Sequence, residues 1–396
     1  MRNHLSHRRV PVIVSAFLAI TTCVALTSTT SAGAGTPAAS SAARADVALD
    51  NALVRFVEAK GGPPGIAVVV QRGDAPVLHT TGVADTTTGQ PIRIDDHFRL
   101  ASVAKAFSGA AALALVGTGD LDIDATIGEI RPDLPTSWAD ITLAELLQHT
   151  SGIPDFSQTK AFQSAVSASP MVAPPPVELL SYVEDAPLEF EPGARYHYSN
   201  SDNIVVALMV ETITGTDYAA ALTPLVYEPL DLTATSLPRG PELPTPFVHG
   251  YVVDTSGETE DVSEPFAAAW AWASGGIVST PADANRFVRG YVYGDTTIPS
   301  VTLAQLKFRS GSSEPPGPGT NSAGLGVFRY RTRCGTLYGH TGNTPGFTQF
   351  IASSRDGTRS TTVSINAQIT PKSDPKRFAD LRRIFTLAAC AALADE

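Results

Sequence analysis

The sequence predicts an α/β protein whose mixed, mostly antiparallel sheet is built from both chain ends and covered by helices, with an all-helical inserted subdomain. Three observations favour this fold class. Strand signals run from Ile66 to Thr80 and return from Gly335 to Ile365. Between them the pattern is helical, from about residue 115 to residue 270. Pro375 to Leu393 then ends the chain as a further helix.

The N-terminal elements follow from local signals. Asp46 is placed to cap an amphipathic helix, which Pro63-Pro64-Gly65 stops. Ile66 to Val70 is a β-branched run typical of a buried strand. After a turn at Arg72-Gly73-Asp74, the chain returns as a second strand from Pro76 to Thr80.

The middle of the chain carries helix signals. Ala106 to Val116 is almost wholly apolar, which is typical of a buried central helix. Thr142 and Glu145 form a capping box. Asn203 to Ile213 is a second apolar helix, closed by Gly215.

The C-terminal third returns to strands. Ser310 to Ser322 is rich in Pro, Gly and Ser and is interpreted as a loop. Gly335 to Tyr338, Phe347 to Ala352 and Ser360 to Ile365 are strand candidates, with Asp356-Gly357 as a hairpin turn.

Residues 1–34 are interpreted as an export signal. A basic start is followed by an apolar run from Val10 to Leu26 and by the small residues Ala32-Gly33-Ala34. The run is short for a membrane span and contains Pro11. We therefore expect cleavage and secretion, with an uncleaved anchor as the alternative. Residues 35–45 are expected to be a flexible lead-in, and residues 46–396 the folded domain.

The charge and the motifs limit the partners. Without the three arginines of the signal, 25 basic side chains face 39 acidic ones, a formal charge of −14. Such an acidic body argues against nucleic acid and anionic membranes as partners. No phosphate-binding glycine loop with lysine and no His-Glu-x-x-His zinc motif occurs in the sequence. We expect no cofactor and no metal, and we expect a monomer.

Two cysteines remain after export, Cys334 and Cys390. In an oxidising compartment an even pair favours a disulfide. The alternative is two unrelated buried thiols.

The first chemical motif is Ser102-Val103-Ala104-Lys105. A serine hydroxyl needs a neighbouring base to become a nucleophile, and one helical turn places residues three apart on the same face. The helix N-terminus also favours developing negative charge. Only this serine lies between a strand-like approach and a buried helix, although the spacing recurs at Ser157/Lys160 and Ser373/Lys376.

The second motif is Tyr198-Ser199-Asn200. Near an ammonium group Tyr198 would ionise more easily and could pass the serine proton to a leaving group. The Asn200 amide can bind a substrate carbonyl and the lysine together. The alternative is a packed tyrosine and a helix cap. Ser201-Asp202-Asn203, which spells the triplet of class A β-lactamases, is interpreted as helix capping by Ser201 or Asp202.

The third motif is His340-Thr341-Gly342, followed by Asn343. A strand that ends in small residues lets a substrate lie along its edge. The backbone N–H of Asn343 is the candidate to complete an oxyanion hole with that of Ser102. His340 can bring a proton or a positive charge to the site, or be a structural residue. His149 is interpreted as part of a packed helix end and turn.

In this order the motifs resemble the serine β-lactamase and penicillin-binding-protein superfamily, with a β-lactamase/transpeptidase-like fold. The similarity is greatest to D-alanyl-D-alanine carboxypeptidases and class C-like β-lactamases, over roughly Val47 to Ala392. The resemblance implies the site residues and their roles. Ser102 matches the acylated serine and Lys105 its lysine. Tyr198 matches the tyrosine acid/base, and Asn200 matches the substrate amide ligand. His340 and Thr341 match the strand motif.

Further residues match the family less closely. Arg329 resembles the arginine that carboxypeptidases use for the substrate carboxylate, and Trp270 resembles a pocket-wall aromatic, with Trp272 as a rival. The cysteine pair resembles the bridge of close relatives. Asn343 departs from the family, because the peptidases place a hydroxyl residue there.

The resemblance implies an acyl-enzyme hydrolase that releases D-alanine from cell-wall peptides and is acylated by penicillins. A β-lactamase or an esterase of the same superfamily is the alternative enzyme. A catalytically silent module that binds penicillin or peptide is the alternative of another class.

Overall fold

The computed structural model describes residues 40–254, 256–264, 266–294, 308–372 and 374–395. The interpreted export signal and most of the lead-in, residues 1–39, lie outside the described residues, so both remain predictions.

Twelve strands occur in the described residues. They are β1 (Gly65–Arg72), β2 (Pro76–Gly82), β3 (Phe98–Arg99), β4 (Tyr251–Val253), β5 (Thr259–Asp261), β6 (Val278–Ser279), β7 (Arg309–Ser310), β8 (Thr320–Ala323), β9 (Phe328–Thr332), β10 (Gly335–Thr344), β11 (Phe347–Ser353) and β12 (Arg359–Ile365). Eight form one sheet in the order β2-β1-β12-β11-β10-β9-β8-β7, and all its neighbouring pairs are antiparallel. The pairing of β1 with β12 joins the two chain ends, which confirms the predicted sheet.

Helices cover both faces of this sheet. They are α1 (Ser41–Glu58), α2 (Ala104–Thr118), α3 (Ile127–Ile130), α4 (Leu143–Leu147), α5 (Lys160–Ala168), α6 (Asn200–Thr214), α7 (Tyr218–Leu222), α8 (Pro281–Tyr293) and α9 (Pro375–Leu393). On one face, α1 and α9 pack on the sheet through Leu53, Val68 and Phe385. The larger core, on the other side, includes α2, α6 and α8, and there Phe107 stacks on Phe287 at 3.6 Å between ring centroids.

Helix α2 is the buried central helix that the sequence predicts. Together with the preceding turn, residues 101–118 are long and apolar enough to cross a membrane, but 78% of this segment is buried inside the protein. An apolar helix buried in this way is a core helix of the domain.

The predicted capping of the first helix by Asp46 is wrong. Helix α1 begins at Ser41, and the Ser40 side chain accepts a hydrogen bond from the Ala43 N–H as its N-cap. Asp46 lies inside the helix and forms an ion pair with Arg72 of β1, 2.6 Å between Nη2 and Oδ2. The Asp46 carboxylate therefore links helix α1 to strand β1, a contact that the local sequence does not reveal.

Two segments depart from the predicted elements. The inserted region is mainly helical, but the hairpin of β4 and β5 interrupts it, with Asp254 accepting N–H bonds from Ser256 and Glu258 in the turn. The loop predicted from Ser310 to Ser322 instead ends in short strands that extend the sheet edge as β7 and β8.

Cys334 and Cys390 form a disulfide, with 5.2 Å between their Cα atoms, as predicted. Cys334 lies in the turn between β9 and β10, and Cys390 lies on α9. The bridge closes a loop with a sequence separation of 56 residues, which the chain-entropy model values at about 4 kcal/mol.

Replacing both cysteines by serine is therefore expected to lower the free energy of unfolding by about 4 kcal/mol. Urea unfolding of the double variant and of the oxidised wild type measures this difference, and reduction of the wild type should reproduce it. Equal stability of all three would show that the bridge does not constrain the chain.

Candidate active site

Ser102 lies in a short 3-10 helix, Ala101–Val103, between β3 and α2. Ala101 adopts a left-handed backbone with φ of 50°, a conformation that costs a non-glycine residue about 1 kcal/mol and that clusters at functional sites. Strand β10 approaches this turn at Gly342, where a Cβ would meet the Leu100 carbonyl oxygen at 2.3 Å and the Ser102 nitrogen at 3.1 Å. Glycine therefore lets the strand lie against the nucleophile.

The edge of β10 next to the turn is open. Its pairing with β9 covers Gly335 to Gly339 and stops before His340. Among the described residues, no strand pairs with that edge from His340 to Thr344. An extended substrate can therefore lie along this edge, beside the Ser102 N–H, as an oxyanion hole requires.

Lys105 is buried next to Ser102, with 1% of its surface exposed. Its Nζ donates to Ser102 Oγ at 3.3 Å, to Asn200 Oδ1 at 2.6 Å and to the Ser274 carbonyl at 2.7 Å. Burial lowers the pKa of Lys105 to about 7, against the opposing effect of Asp155 and other acidic groups. Near neutral pH much of this lysine is a free amine, which can accept the Ser102 proton.

Tyr198 is the third member of the cluster. Lys105 Nζ lies 5.0 Å from the centre of its ring. Its hydroxyl is buried and makes no hydrogen bond of normal geometry with the described residues, although Ser102 is near enough to oppose the rise of its pKa.

The expectation that Tyr198 ionises easily is wrong. Burial raises the pKa of Tyr198 well above its ordinary value, since the phenolate loses more from desolvation than it gains from neighbours. Tyr198 is therefore a neutral phenol, which can give a proton to a leaving group only as it takes one back from the Ser102–Lys105 pair.

Asn200 contacts Lys105 through its oxygen, as predicted, but its nitrogen is already engaged. Asn200 Nδ2 donates to Asp155 Oδ2 and to Ser157 Oγ, both at 2.9 Å. A primary amide has two N–H donors, so none is free for a substrate carbonyl. The predicted role as a substrate ligand requires one of these bonds to break, and in this geometry Asn200 orients Lys105.

A buried cluster of polar side chains, formed by His149, Ser151 and Asp202, packs against Tyr198 through His149. His149, in a left-handed backbone with φ of 56°, packs its ring 4.6 Å from that of Tyr198. His149 Nδ1 lies 2.8 Å from Asp202 Oδ2, and Ser151 donates to Asp202 Oδ1 at 2.5 Å. Burial lowers the pKa of His149 to about 3 and raises that of Asp202 well above its ordinary value, so the imidazole is uncharged.

The predicted capping of α6 by Ser201 or Asp202 is wrong. Ser199 is the N-cap, and its side chain accepts a hydrogen bond from the Ser201 N–H. Ser201 donates to the Pro154 carbonyl. Both side chains therefore connect α6 to the segment that carries His149 and Asp155, and sequence reasoning missed this connection.

His340 lies next to the site, but as an uncharged residue. It is buried, its ring lies 5.0 Å from that of Phe328, and its Nδ1 lies 2.5 Å from the Thr341 carbonyl oxygen. Burial lowers the pKa of His340 to about 3, with a smaller contribution from Lys105. The structure therefore contradicts a positive charge at His340 and favours the structural alternative.

The other side chains predicted to bind substrate already contact the protein. Asn343 Nδ2 donates to the Ile369 carbonyl at 2.9 Å, so its side chain is held by the protein. Thr341 Oγ1 is 2.6 Å from Ser313 Oγ and 2.5 Å from the Pro315 carbonyl oxygen. These contacts leave the backbone of β10 as its substrate-binding feature.

Two predicted substrate ligands lie outside this cluster. The Arg329 guanidinium stacks over Phe308 at 4.3 Å and reaches Ser322 at 3.5 Å. Trp270 packs 5.7 Å from Phe162 and donates to the Ser169 carbonyl, in the core of the helical region. Their roles in substrate binding stay predictions. The rival Trp272 has a φ of 38° and begins the short helix that presents the Ser274 carbonyl to Lys105.

The Beta-lactamase family model matches residues 49–384 of the chain, on which this whole cluster lies. The chain belongs to the β-lactamase family. This confirms the superfamily that the motifs resemble and makes the protein a member of a serine hydrolase superfamily.

Relatives within the β-lactamase family show several activities in their names. Esterase EstB of Burkholderia gladioli is 35% identical over 49% of this chain and 51% of its own length. Penicillin-binding protein 4* of Bacillus subtilis is 24% identical over 72% of this chain and 64% of its own length. The chain thus spans about half to two thirds of these curated relatives.

Solved structures match over a larger share. A D-stereospecific amidohydrolase from Streptomyces sp. superposes with a TM-score of 0.72 and 26% identity, over 85% of this chain and 98% of that chain. The D-amino acid amidase from Ochrobactrum anthropi SV3, complexed with L-phenylalanine amide, shares the fold with a TM-score of 0.72 and 24% identity, over 86% and 99%.

In this β-lactamase-family site, Asp155 is the acidic residue with the largest opposing effect on the pKa of Lys105. Replacing Asp155 by asparagine is expected to lower that pKa below about 7, because the attraction that favours the ammonium is lost. The rising limb of kcat/KM against pH should move to lower pH. Asp380→Asn, on the exposed surface of α9, is the matched control. A limb that does not move would show that Lys105 does not set it.

Proposed function

We propose that this protein hydrolyses small amides and esters through an acyl-enzyme on Ser102. The free amine of Lys105 takes the Ser102 proton, and the Oγ oxygen bonds to the substrate carbonyl carbon. The oxyanion lies between the Ser102 N–H and the edge of β10. The carbon–nitrogen or carbon–oxygen bond then breaks, and Tyr198 passes a proton to the departing amine or alcohol. Water hydrolyses the acyl-serine and restores the enzyme.

The observation that carries the amide and ester preference is the Asn200 side chain. Both of its N–H donors are engaged by Asp155 and Ser157, so it offers no donor to the acylamino carbonyl of a longer peptide. A small acyl group does not need that donor. The full-length similarity to the Streptomyces D-stereospecific amidohydrolase supports a D-configured acyl group.

A D-alanyl-D-alanine carboxypeptidase that is acylated by penicillins is the second candidate. Arg329 favours it, because its Nε is buried without a hydrogen-bond partner among the described residues. A buried guanidinium N–H without a partner is costly, and a substrate carboxylate would satisfy it.

Secretion as a monomer, with residues 1–34 removed, is part of the proposal. The Cys334–Cys390 disulfide supports the secretion, since disulfides persist mainly in oxidising compartments.

A substrate panel tests the proposal. D-phenylalanine amide, L-phenylalanine amide, p-nitrophenyl butyrate, an acylated D-alanyl-D-alanine peptide and nitrocefin are compared by kcat/KM, with Ser102→Ala as the blank. We expect the ester and the D-amide to be hydrolysed faster than the peptide and nitrocefin. D-alanine release as the fastest reaction would overturn the proposal in favour of the carboxypeptidase, and turnover equal to the blank would exclude an enzyme.

A further inference from the structure

Three hydrogen bonds hold the loop after β7 beside the active site. Tyr196 donates through its hydroxyl to the Ser312 carbonyl at 2.7 Å. Thr341 of β10 then contacts the Ser313 hydroxyl at 2.6 Å and donates to the Pro315 carbonyl at 2.5 Å. The residue between Ser313 and Pro315 is therefore held between the tyrosine segment and the substrate-binding strand.

That residue is Glu314, whose side chain is exposed. Its carboxylate forms no ion pair within 4.0 Å with a Lys, Arg or His of the described part of the chain. Its negative charge nevertheless raises the pKa values of both Lys105 and Tyr198. Glu314 is thus a carboxylate without an ion-pair partner among the described residues, on a loop held between the Tyr196 segment and β10, and its charge acts on both Lys105 and Tyr198.

The Tyr198 side of the site is where the leaving group departs, because the phenol protonates it. The Tyr198 hydroxyl is buried and has no partner among the described residues, so it is available to that group. The Thr341 hydroxyl is used by the loop, and the Asn343 amide by the Ile369 carbonyl. The Thr341 hydroxyl therefore has no donor left for a carboxylate on the leaving group, whereas the Asn343 amide keeps one of its two N–H donors.

The charges around this position favour a cation. His149 and His340 are uncharged, and Lys105 is only partly protonated near neutral pH. Arg329, on the same sheet, is the opposing cation, but it stacks over Phe308.

We propose that Glu314 is a specificity-determining residue that selects neutral or positively charged leaving groups and repels those that carry a carboxylate. This inference rests on the proposed function. A carboxylate and an ammonium attract across a few ångströms even near the surface, and like charges repel by a similar amount.

Three butyryl thioesters of similar size test this. Their thiol leaving groups are thiocholine (cationic), mercaptoethanol (neutral) and 3-mercaptopropionate (anionic), and one thiol reagent measures the release of all three. In the wild type we expect kcat/KM to fall from cation to neutral to anion by about twofold to fivefold per step. Salt should compress the series by screening.

Glu314→Gln should compress the series to less than half of its range, and Glu314→Lys should reverse it. Glu58→Gln, on the exposed end of α1, is the matched control and should leave the ranking as in the wild type. A range of kcat/KM values as wide in Glu314→Gln as in the wild type would overturn the inference. A wild-type preference for the anion would also overturn it and would assign this side to Arg329. No thiol release from any thioester would instead refute the proposed function.

Discussion

Ser102→Ala should abolish ester and amide hydrolysis, with kcat lowered about 10³-fold or more. Alanine has no hydroxyl oxygen to form the acyl intermediate. Ser102 is the nucleophile that Lys105 and Tyr198 activate. Ester hydrolysis at pH 8 measures the loss.

The fold should survive this change. The Ser102 side chain accepts a long contact from Lys105 at 3.3 Å and lies beside the Tyr198 hydroxyl, so its loss should change the free energy of unfolding by about 1 kcal/mol or less. Ser167→Ala, on the exposed surface of α5, is the control for a serine hydroxyl outside the site. Turnover of Ser102→Ala within tenfold of wild type would mean that another group attacks the substrate.

Replacing Lys105 by arginine should be almost as damaging, with kcat/KM lowered about 10²-fold to 10⁴-fold. Arginine keeps the positive charge but stays protonated throughout the working range, so it cannot take the Ser102 proton. In the wild type, kcat/KM should rise with pH through about 7, as Lys105 becomes a free amine.

The pH profile separates this role from a structural one. If Lys105 only neutralised charge, the arginine variant would retain activity and the wild-type rate would not follow a group with a pKa near 7. Lys105→Arg with more than a tenth of wild-type activity would contradict the proton transfer.

The nucleophile and its lysine were predictable because they are three residues apart across one helical turn, from the 3-10 helix into α2, where local geometry decides their contact. Local patterns also predicted β11, β12 and the first part of β10, whereas β9 was missed. The edge strands β7 and β8 were not predictable, because Pro, Gly and Ser dominate the loop that connects them. They form strands through pairing at the edge of the sheet.

The surroundings of the site could not be read in the same way. Asp155 reaches Asn200 from 45 residues away in the sequence, and Asp202 reaches His149 from 53. The pKa values of Tyr198 and His340 depend on burial, which a motif does not specify. For this reason the expected ionisation of the tyrosine and the expected charge of the histidine both had the wrong direction.

The most direct test of the account is to trap the covalent intermediate. Wild-type protein is mixed with p-nitrophenyl butyrate, quenched in acid within the first turnover, and measured by intact mass and peptide mapping. An acyl-enzyme on Ser102 should give one added butyryl group on the peptide that contains Ser102, and none in Ser102→Ala. An acyl group on a different residue, or substrate turnover without any adduct on Ser102, would contradict it.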